Sequence, residues 1–419
     1  MRAAQIKGWC PGALRPMLSG DGYLVRLRLT GGVLPASAAK AIAHCAEAFG
    51  NGLLDLSARA NLQLRGVGEA QLPALVEALQ AHHLLDESAE AEAVRNVMAS
   101  PLAGLADDGA FDIRPFVNAL EERLASDAAL YALPSKFGFI VDDGGGLSLS
   151  SVAADIRFLA VRGERFEVRL AGSDEAVVIE AAALADVAAG LAKSFIAQAR
   201  ECDPPARRMA GLVAEKGAAA LWRAAGLAPV ARSSQPQTPQ QPLGHHAGWL
   251  GLGFAFGRLS AHDLTWLADI AERHGSGELR LTPWRAILLP GVDANGAQEI
   301  LSQARANIIT DPADPRLAVV ACPGAPGCAS AEAETQDHAL ALAPLARTLA
   351  PSGVTLHVSG CAKGCARPAS TLVTLTARGG LYDLIAAGRA SDAPGLQGLD
   401  LNACRAALRA MASPEGARL

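Results

Sequence analysis

Four cysteines in the last quarter of the sequence form two closely spaced pairs. Five residues separate Cys322 from Cys328, and three separate Cys361 from Cys365. Each pair follows a predicted strand, so two neighbouring strand ends would present thiolates to one volume from opposite sides. A cubane iron–sulfur cluster is held by four cysteine thiolates. The pattern therefore predicts a 4Fe-4S site on these four residues.

The segments around the cysteines are predicted to be two strands and a helix. Leu317 to Val320 and Val354 to Val358 are short apolar runs typical of buried strands. The Ala- and Leu-rich stretch from Cys328 to about Leu349 has helical spacing. Gly360 and Gly364 permit tight turns whose backbone amides can point at cluster sulfurs.

Two other uses of the four cysteines stay open at this point. Structural zinc sites use pairs separated by about two to four residues, so the wider first pair matches poorly. Two disulfides would need an oxidising compartment, for which nothing else in the sequence argues. Of the other cysteines, Cys45 and Cys404 lie in helical patterns typical of a hydrophobic core, whereas Cys10 and Cys202 are isolated.

The chain contains an internal repeat. Segment 21–67 aligns without gaps to segment 246–292, at an offset of 225 residues. A Ser-, Gln- and Pro-rich tract, Arg232 to Leu243, separates the two copies and is predicted to be an exposed linker. Such a duplication predicts two pseudosymmetric halves. Each copy is predicted to form a strand, a helix and a strand, which in the first copy are Leu24 to Thr30, Ala36 to Phe49 and Leu53 to Leu64.

The two copies differ in one polar stripe. At the end of the first copy, strand alternation places four polar residues on one face of the predicted strand. Successive residues on that face are about 7 Å apart. Two guanidiniums and two amides in a row suit a ligand with several carboxylates, because each Arg can bind one bidentately. A solvated sheet face is the alternative. The stripe consists of Arg59, Asn61, Gln63 and Arg65, and its counterparts in the second copy are Trp284, Ala286, Leu288 and Pro290.

Two further cations lie in predicted loops of the first half. Arg95 precedes the loop signature 100–104, and Lys136 lies in the segment 133–138, which leads into a short strand. By position these loops correspond to the cysteine loops of the second half. One half would then present cations where the other presents thiolates. An ordinary surface role is the alternative for each residue.

Composition limits the classes of function. The net charge of -5 argues against a nucleic-acid-binding surface. The apolar stretches 181–191 and 248–257 are too short to cross a bilayer, and residues 1–23 lack the apolar centre of a signal peptide. We therefore expect a cytoplasmic protein with reduced cysteines, and no membrane partner. The length of 419 residues predicts two or more domains.

These residues resemble the sulfite and nitrite reductase superfamily, and within it the precorrin-3B synthase family. The resemblance covers nearly the whole chain, and the four-cysteine pattern is its most specific part. The shorter motifs mainly indicate which branch of the superfamily the chain resembles. The motifs are 8–12 (Gly-Trp-Cys-Pro-Gly), 19–22 (Ser-Gly-Asp-Gly), 57–67, 95–104, 133–139, 322–328 and 359–365.

The resemblance implies an α+β fold of duplicated sulfite/nitrite reductase-like architecture. Two ferredoxin-like half-repeats would combine with two α/β domains around a tetrapyrrole that lies against the 4Fe-4S cluster. The implied segments are a first half-repeat at 1–80, a first α+β domain with basic tetrapyrrole-binding loops at 81–231, the linker at 232–243, a second half-repeat at 244–304, and a second α+β domain with the cysteines at 305–419.

The implied reaction is the oxygen-dependent conversion of precorrin-3A to precorrin-3B in aerobic cobalamin biosynthesis. It hydroxylates C20 and closes a lactone from the ring A acetate. Arg59, Arg95 and Lys136 match reductase positions that contact the tetrapyrrole or its distal ligand, so they are expected to bind the acidic side chains of precorrin-3A. Asn61, Gln63 and Arg65 would support them.

Two departures from the sirohaem reductases favour this branch. Those enzymes have a second anion-binding lysine where this sequence has Gly138, and they commonly have Asn where it has Lys363. A sirohaem-dependent sulfite or nitrite reductase is nevertheless the alternative enzyme. A non-enzymatic electron carrier or redox sensor is a further alternative, in which the polar stripe would have no function.

The implied cofactors and partners are less well specified by the residues. A metal-free macrocycle supplies no iron, so a separate mononuclear non-haem iron is a candidate for activating dioxygen, but none of the nine histidines has convincing ligand spacing. His245, His246 and His357 are candidate ligands that also fit surface or core roles. The sequence has no dinucleotide fingerprint, so electrons from NADH would arrive through a partner reductase. No catalytic residue is assigned.

Overall fold

The computed structural model describes residues 9–105, 108–231 and 241–412. Gly8 of the first motif and positions 232–240 of the predicted linker therefore lie outside the described residues. The described residues form four sheets with flanking helices, and the strands and helices are numbered in chain order.

The first half contains two structural units. Its half-repeat contains β1 (Met17–Leu18), β2 (Tyr23–Leu27), β3 (Val33–Pro35), α1 (Ala36–Phe49), β4 (Leu53–Leu56), β5 (Leu62–Val67) and α2 (Leu72–Ala81). The following α+β unit contains α3 (Ala89–Val94), β6 (Val97–Ala99), α4 (Arg114–Ser126), β7 (Phe139–Asp142), β8 (Ile156–Val161), β9 (Arg165–Leu170), β10 (Glu175–Glu180), α5 (Leu184–Ala199), α6 (Met209–Lys216), α7 (Ala219–Ala224) and β11 (Val230–Ala231).

The second half repeats this plan. Its half-repeat contains β12 (Gly244–His246), β13 (Trp249–Phe254), β14 (Arg258–Ser260), α8 (Ala261–His274), β15 (Glu278–Leu281), β16 (Ala286–Pro290), α9 (Ala294–Gln303) and β17 (Ile308–Ile309). The cysteine-bearing α+β unit contains β18 (Val319–Ala321), α10 (Thr335–Leu349), β19 (Leu356–Ser359), β20 (Thr371–Arg378), β21 (Leu381–Gly388), β22 (Leu396–Leu399) and α11 (Leu401–Ala412).

The predicted repeat is confirmed in backbone detail. Helices α1 and α8 begin and end at positions 225 residues apart, and α1 has the bounds predicted for it. Ala60 and its counterpart Arg285 both have positive φ, at 54° and 61°, as do Gly31 and Phe256, at 60° and 59°. Non-glycine residues adopt this region uncommonly, so its recurrence at the same offset marks two copies of one backbone.

The two half-repeats exchange strands and share one core. β3 of the first copy pairs antiparallel with β15, and β14 of the second copy pairs antiparallel with β4. Leu34 and Leu259, at the centres of the exchanged strands, are both buried in one hydrophobic cluster with residues of α1 and α8. The half-repeats therefore form a single body around a pseudo-twofold axis. The sequence did not predict this exchange.

The prediction of one strand over Leu53 to Leu64 was wrong. The segment is a hairpin, in which β4 and β5 pair antiparallel and residues 57–61 form the turn. The Ser57 backbone N–H donates to the Asn61 carbonyl at 2.9 Å, and the Ser57 hydroxyl accepts from the backbone N–H groups of Arg59 and Asn61. Alternation continues through the turn residues, so the pattern alone did not reveal it.

The two α+β units have matching sheets. β6, β7 and β8 are parallel and β9 follows antiparallel, just as β18, β19 and β20 are parallel and β21 follows antiparallel. Arg95 and Lys136 precede β6 and β7, whereas Cys322 and Cys361 follow β18 and β19. The predicted positional match between the cationic and cysteine loops was therefore wrong, because they lie at opposite ends of equivalent strands.

The helix predicted to begin at Cys328 begins instead at Thr335. The intervening residues form a compact loop, in which the Cys328 backbone N–H donates to the Gly324 carbonyl at 2.7 Å and that of Glu332 donates to the Gly360 carbonyl at 2.9 Å. These contacts tie the first cysteine loop to the second. None of the helices within the described ranges has the length and apolar character needed to cross a bilayer.

Candidate functional site

The structure brings the four predicted cluster cysteines into one region, at the carboxyl ends of β18 and β19. Cys322 is 8% exposed, Cys328 and Cys361 are half-buried, and Cys365 is exposed. Burial raises the pKa of the Cys365 thiol, and the charges of the other three thiols raise it further, against the opposing charge of Lys363. The two cysteine loops contact each other directly, because the Glu332 backbone N–H donates to the Gly360 carbonyl at 2.9 Å and the Gly360 backbone N–H donates to Cys322 Sγ at 3.1 Å.

The backbone around Cys322 fits a sulfur ligand. The Gly360 backbone N–H donates to Cys322 Sγ at 3.1 Å, and such amide bonds stabilise cluster sulfurs. A Cβ on Gly360 would lie 2.6 Å from the Cβ of Ala331, so only glycine allows this approach. Four thiols in one region, with an amide donating to one sulfur, fit the chemistry of an iron–sulfur cluster.

The candidate histidine ligands lie apart from one another. His246 stacks on Trp249 with ring centroids 3.9 Å apart, and His245 is exposed. His357 is fully buried on β19, and both of its ring nitrogens have no hydrogen-bond partner within the described residues. Among the described residues, no three or more His, Cys, Asp or Glu side chains, the four cysteines included, converge closely enough to hold one metal ion. We therefore assign no residues to a mononuclear iron.

A row of charged and amide side chains crosses the first half-repeat sheet, and we call it the polar row. Arg26 on β2 lies opposite Gln63 on β5, Gln63 opposite Asp55 on β4, and Asp55 opposite Arg258 on β14. The Gln63 side-chain oxygen accepts from Arg26 at 2.8 Å, and Asp55 accepts from Arg258 at 2.9 Å. Of the predicted stripe, Gln63 therefore belongs to a row that spans four strands.

Arg59 and Lys136 are brought together beside this row. Arg59, in the hairpin turn, donates from Nη2 to the Lys136 carbonyl at 2.8 Å, while the Lys136 side chain is exposed. The buried carboxylate of Asp155 fixes the lysine loop by accepting from the Gly138 backbone N–H at 2.9 Å. Asp155 also pairs with Arg208 at 3.0 Å, which adds another cation. Asn61 is half-buried in the same turn.

Carboxylates do not neutralise these cations fully. Burial, then the charge of Arg28, lowers the pKa of Arg26 to about 10. Burial, then the charge of Arg208, also lowers the pKa of Arg59. Guanidiniums whose charged form is disfavoured in this way gain stability from an anionic ligand. The region around Arg26, Arg59 and Lys136 is therefore suited to bind anions.

Arg65 has a different environment from the rest of the stripe. Its side chain is 2% exposed and forms ion pairs with Asp21 at 2.8 Å and with Asp55 at 3.1 Å. Its Nη2 also donates to the Gly327 carbonyl at 2.6 Å, and the Ser19 hydroxyl donates to the same carbonyl at 2.7 Å. Arg65 thus links the first half-repeat to the cysteine loop rather than facing open space.

The guanidinium of Arg95 is also already hydrogen-bonded to other groups of the protein. It donates to Asp86 at 2.7 Å, to Glu121 at 2.7 Å and to the Arg28 carbonyl at 2.8 Å. Burial alone would lower its pKa, but the two carboxylates raise it above the usual value. Its side chain lines a separate cleft of about 1090 Å³ between the half-repeat and α4. Within the described residues, no hydrogen bond joins the Arg95 side chain to Arg59 or Lys136, and its charge is already paired by Asp86 and Glu121.

The position related to this site by pseudosymmetry is filled with apolar side chains. Trp284, the counterpart of Arg59, packs against Leu102 and Leu147, and Leu288, the counterpart of Gln63, lies in the same cluster. Leu102 and Leu147 belong to the loops after β6 and β7, which are equivalent to the cysteine loops. By the same symmetry, the cysteine loops face the polar row. This explains why only the first copy keeps its polar residues.

The comparisons with known proteins agree with this architecture. The family of nitrite/sulfite reductase ferredoxin-like half domains matches residues 15–82 and 241–307, and the nitrite and sulphite reductase 4Fe-4S domain family matches residues 90–256. The chain is 33% identical to the precorrin-3B synthase of Sinorhizobium sp over 409 residues, which cover 94% of this chain and 85% of that protein. The chain belongs to the precorrin-3B synthase branch of the nitrite and sulfite reductase superfamily. The predicted duplicated architecture is thereby confirmed.

Other members of the superfamily are more distant. The chloroplastic ferredoxin–nitrite reductase of Oryza sativa subsp. japonica is 28% identical over 82% of this chain and 64% of its own length. The solved structure of the NirA protein of Mycobacterium tuberculosis superposes with a TM-score of 0.71 at 20% identity, covering 86% of this chain and 74% of that one. The 4Fe-4S domain match ends before the four cysteines, so their assignment depends on their own geometry.

Sequence reasoning missed Arg26, Arg208 and Asp155. Arg26 sits at a polar position of an alternating strand, but its place in the row depends on the register between β2 and β5. Arg208 and Asp155 come together across 53 residues of sequence. Only the tertiary structure shows these relationships.

Proposed function

We propose that this protein converts precorrin-3A to precorrin-3B with dioxygen and external electrons. The main support is an under-neutralised cationic face, Arg26, Arg59 and Lys136, next to the half-repeat sheet that contacts the loop of Cys328. The bond from Arg65 to Gly327 joins the two walls directly. Precorrin-3A carries acetate and propionate side chains around a large macrocycle, so it matches a basic wall. The identity to a precorrin-3B synthase supports the same substrate.

In this proposal the site residues have distinct roles. Arg59, Asn61, Gln63 and Lys136 bind acidic side chains of the macrocycle, with Arg26 beside them. Arg65 and Arg95, whose guanidiniums already bind carboxylates of the protein, position the surrounding segments instead. A 4Fe-4S cluster is held by Cys322, Cys328, Cys361 and Cys365.

The reaction balances as a monooxygenation. One atom of dioxygen becomes the C20 hydroxyl and the other leaves as water, which consumes two electrons and two protons from a donor. The C1–C20 double bond is consumed in the step: C20 takes the hydroxyl oxygen, C1 takes the ring A acetate oxygen as the lactone closes, and the proton of the acetic acid group goes to the new hydroxyl. The iron–sulfur cluster, when bound, supplies the electron-transfer chemistry. The basic residues hold the macrocycle in one orientation, and such positioning can lower the barrier by several kcal/mol.

The donor and the domain roles belong to the same proposal. Because the sequence has no dinucleotide fingerprint, an NADH-linked partner reductase delivers the electrons. Segments 1–80 and 244–304 form the paired half-repeats, 81–231 supplies the lysine loop, and 305–419 holds the cluster. The exchange of β3 and β14 makes the two half-repeats one structural body.

Product analysis tests the proposal. The purified protein is incubated anaerobically with precorrin-3A and a reductant, and then ¹⁸O₂ is admitted. We expect a product that has gained one ¹⁸O atom in its C20 hydroxyl and contains a lactone. Recovery of unchanged precorrin-3A from protein with a full cluster would contradict the proposal.

A sirohaem-dependent nitrite or sulfite reductase is the second candidate. The nitrite reductase relatives and the shared Lys136 favour it. Gly138, where the reductases have a second anion-binding lysine, argues against it. A visible spectrum of the purified protein discriminates, because sirohaem gives intense Soret and Q bands whereas a cluster alone absorbs broadly.

A further inference from the structure

Two guanidiniums near the cysteine loops have no acidic partner of their own. Arg285 lies in the turn between β15 and β16, and Arg367 lies two residues after Cys365. Within the described residues neither side chain makes a hydrogen bond or an ion pair, and the Nε of Arg367 is buried without a partner. Both side chains are half-buried, so each still reaches solvent. Buried polar atoms are normally hydrogen-bonded, so the unpartnered Nε of Arg367 is a candidate donor to a bound ligand.

The charges of the two arginines both affect the side chain of His357. Burial, then the charge of Arg367, lowers the pKa of Arg285. Burial, then the charges of Arg367 and Arg285, lowers the pKa of His357 to about 4. His357 is fully buried, and its two ring nitrogens have no partner within the described residues. The geometry places His357 beside the Arg367 segment, because His357 Cε1 lies 3.7 Å from the position of a Cβ on Gly364, and the Gly364 carbonyl accepts from the Arg367 backbone N–H at 3.1 Å. The charge of Arg285 acts on the same two groups.

This pair lies at one end of the polar row. Asp55, the acid whose charge acts on Arg285, already binds Arg65 and Arg258 and cannot neutralise further cations. Arg285 Cγ would lie 3.4 Å from a Cβ on Gly257, which precedes Arg258 at the end of the row. Three strand spacings separate Arg26 from Arg258, or about 14 Å. The two ends of the row could thus hold different edges of one large ligand.

We propose that Arg285 and Arg367 together bind one carboxylate of the macrocycle, at the end of the polar row opposite Arg26 and Arg59. This inference rests on the proposed function and adds a second anchoring point on the cysteine side of the site. Two guanidiniums can bind one carboxylate with several charge-assisted hydrogen bonds. Binding at both ends of the row fixes the macrocycle against rotation in its own plane, which one basic patch cannot do.

Porphyrin binding to the cluster-loaded protein tests this inference. Uroporphyrin III, a stable macrocycle with acetate and propionate side chains, is titrated under nitrogen and followed by its fluorescence. We expect Arg285→Gln and Arg367→Gln each to weaken binding about ten-fold or more. The double variant should lose little beyond either single variant, because both arginines hold one carboxylate. Arg409→Gln, which removes an exposed arginine of α11, is the matched control and should bind like the wild type.

Each other outcome has one meaning. If the wild type binds and Arg59→Gln weakens binding, but both Arg285→Gln and Arg367→Gln bind normally, this inference is wrong and the proposed function stands. If the wild type binds no macrocycle, precorrin-3A included, the proposed function and this inference both fail. If sodium sulfate raises the melting temperature of the wild type but not of Arg285→Gln, while porphyrin affinity is unchanged, the pair binds free oxyanions and the macrocycle assignment is wrong. Arg285→Lys keeps the charge but loses the paired N–H donors of the guanidinium. It replaces Arg285→Gln if that variant fails to fold, and it should also weaken binding.

Discussion

Arg65 and Gly327 are joined by a 2.6 Å hydrogen bond across 262 residues of sequence. The donor is the guanidinium of Arg65 on β5, and the acceptor is the carbonyl that precedes Cys328. The contact is close enough that a Cβ on Gly20 would lie 2.2 Å from the Pro326 carbonyl oxygen. The first half-repeat therefore contacts the first cysteine loop directly, and this hydrogen bond links the two walls of the proposed site.

Replacing Arg65 should weaken both the fold and the cluster. Arg65→Gln leaves the carboxylates of Asp21 and Asp55 without their buried partner, so we expect a loss of about 3–5 kcal/mol in unfolding free energy. The iron and sulfide content should fall with it, because the Gly327 carbonyl loses one of its two side-chain donors, Arg65, and keeps only Ser19. Urea unfolding and metal analysis measure the two effects. Arg114→Gln, which breaks an exposed pair with Asp112, is the control and should cost about 1 kcal/mol or less.

Replacing Cys361 by serine should remove the iron–sulfur absorbance and all turnover, because one corner of the cluster loses its thiolate. The near-ultraviolet and visible spectrum of anaerobically purified protein measures this. Cys404→Ala, at a fully buried core position of α11, is the control and should keep the absorbance. Retention of a full cluster in Cys361→Ser would show that the ligand set is different.

Gly138 offers a test of the space beside Arg59. The nearest atoms to a Cβ at this position are the Asn96 carbonyl oxygen at 3.5 Å and Arg59 Nη1 at 3.7 Å, so a Cβ can be added in ordinary van der Waals contact. Gly138→Lys should stay folded but lower turnover at least about ten-fold, because the added ammonium lies beside Arg59 and competes with it for the acidic side chain of the substrate. Gly138→Ala should have a much smaller effect. Steady-state assays would contradict the account if Gly138→Lys turned over normally.

His357 should make stability depend on pH in a defined window. Its pKa is about 4 in the folded protein against about 6.5 when unfolded, because burial and then Arg367 and Arg285 disfavour the charged form. Between these values the unfolded chain binds more protons, so stability falls as the pH falls from 6.5 towards 4. The total contribution is about 3 kcal/mol, with a slope of at most about 1.4 kcal/mol per pH unit.

His357→Leu should remove this contribution. We expect urea unfolding of the variant to show a slope between pH 5 and 6.5 that is smaller by about 1 kcal/mol per pH unit. His245→Gln removes an exposed imidazole and serves as the control. An identical slope in wild type and His357→Leu would mean that the imidazole is not held neutral by its surroundings.

The local sequence pattern predicted the helices and strands that depend mainly on the spacing of their own apolar residues. Helix α1 has its predicted bounds because its apolar residues recur at helical spacing after Pro35, and the repeat offset predicted α8 in the same way. Cys45 and Cys404 were predicted to be core residues and are 2% and 0% exposed. The strands before the two cysteine pairs were also predicted, within a few residues.

Long-range pairing was beyond what the pattern contains. The exchange of β3 and β14 depends on contacts between strands more than 200 residues apart, and no local signal records it. The hairpin at 57–61 was missed because Ala60 adopts a positive φ that its residue type does not indicate. Arg65 and Arg95 were grouped with Arg59 because sequence shows a cation but not the carboxylates that already bind it. Those carboxylates, Asp21, Asp55, Asp86 and Glu121, come from other elements.

The most direct test of the central claim is electron paramagnetic resonance of the dithionite-reduced protein, recorded with and without precorrin-3A under nitrogen. If the cluster and the basic row enclose one macrocycle, bound precorrin-3A should change the g values of the reduced cluster. Arg59→Gln should require about ten-fold more precorrin-3A for the same change, because it loses a charge-assisted contact, whereas Arg162→Gln, an exposed arginine between β8 and β9, should match the wild type. An unchanged cluster spectrum in protein shown by its absorbance to hold precorrin-3A would contradict the account.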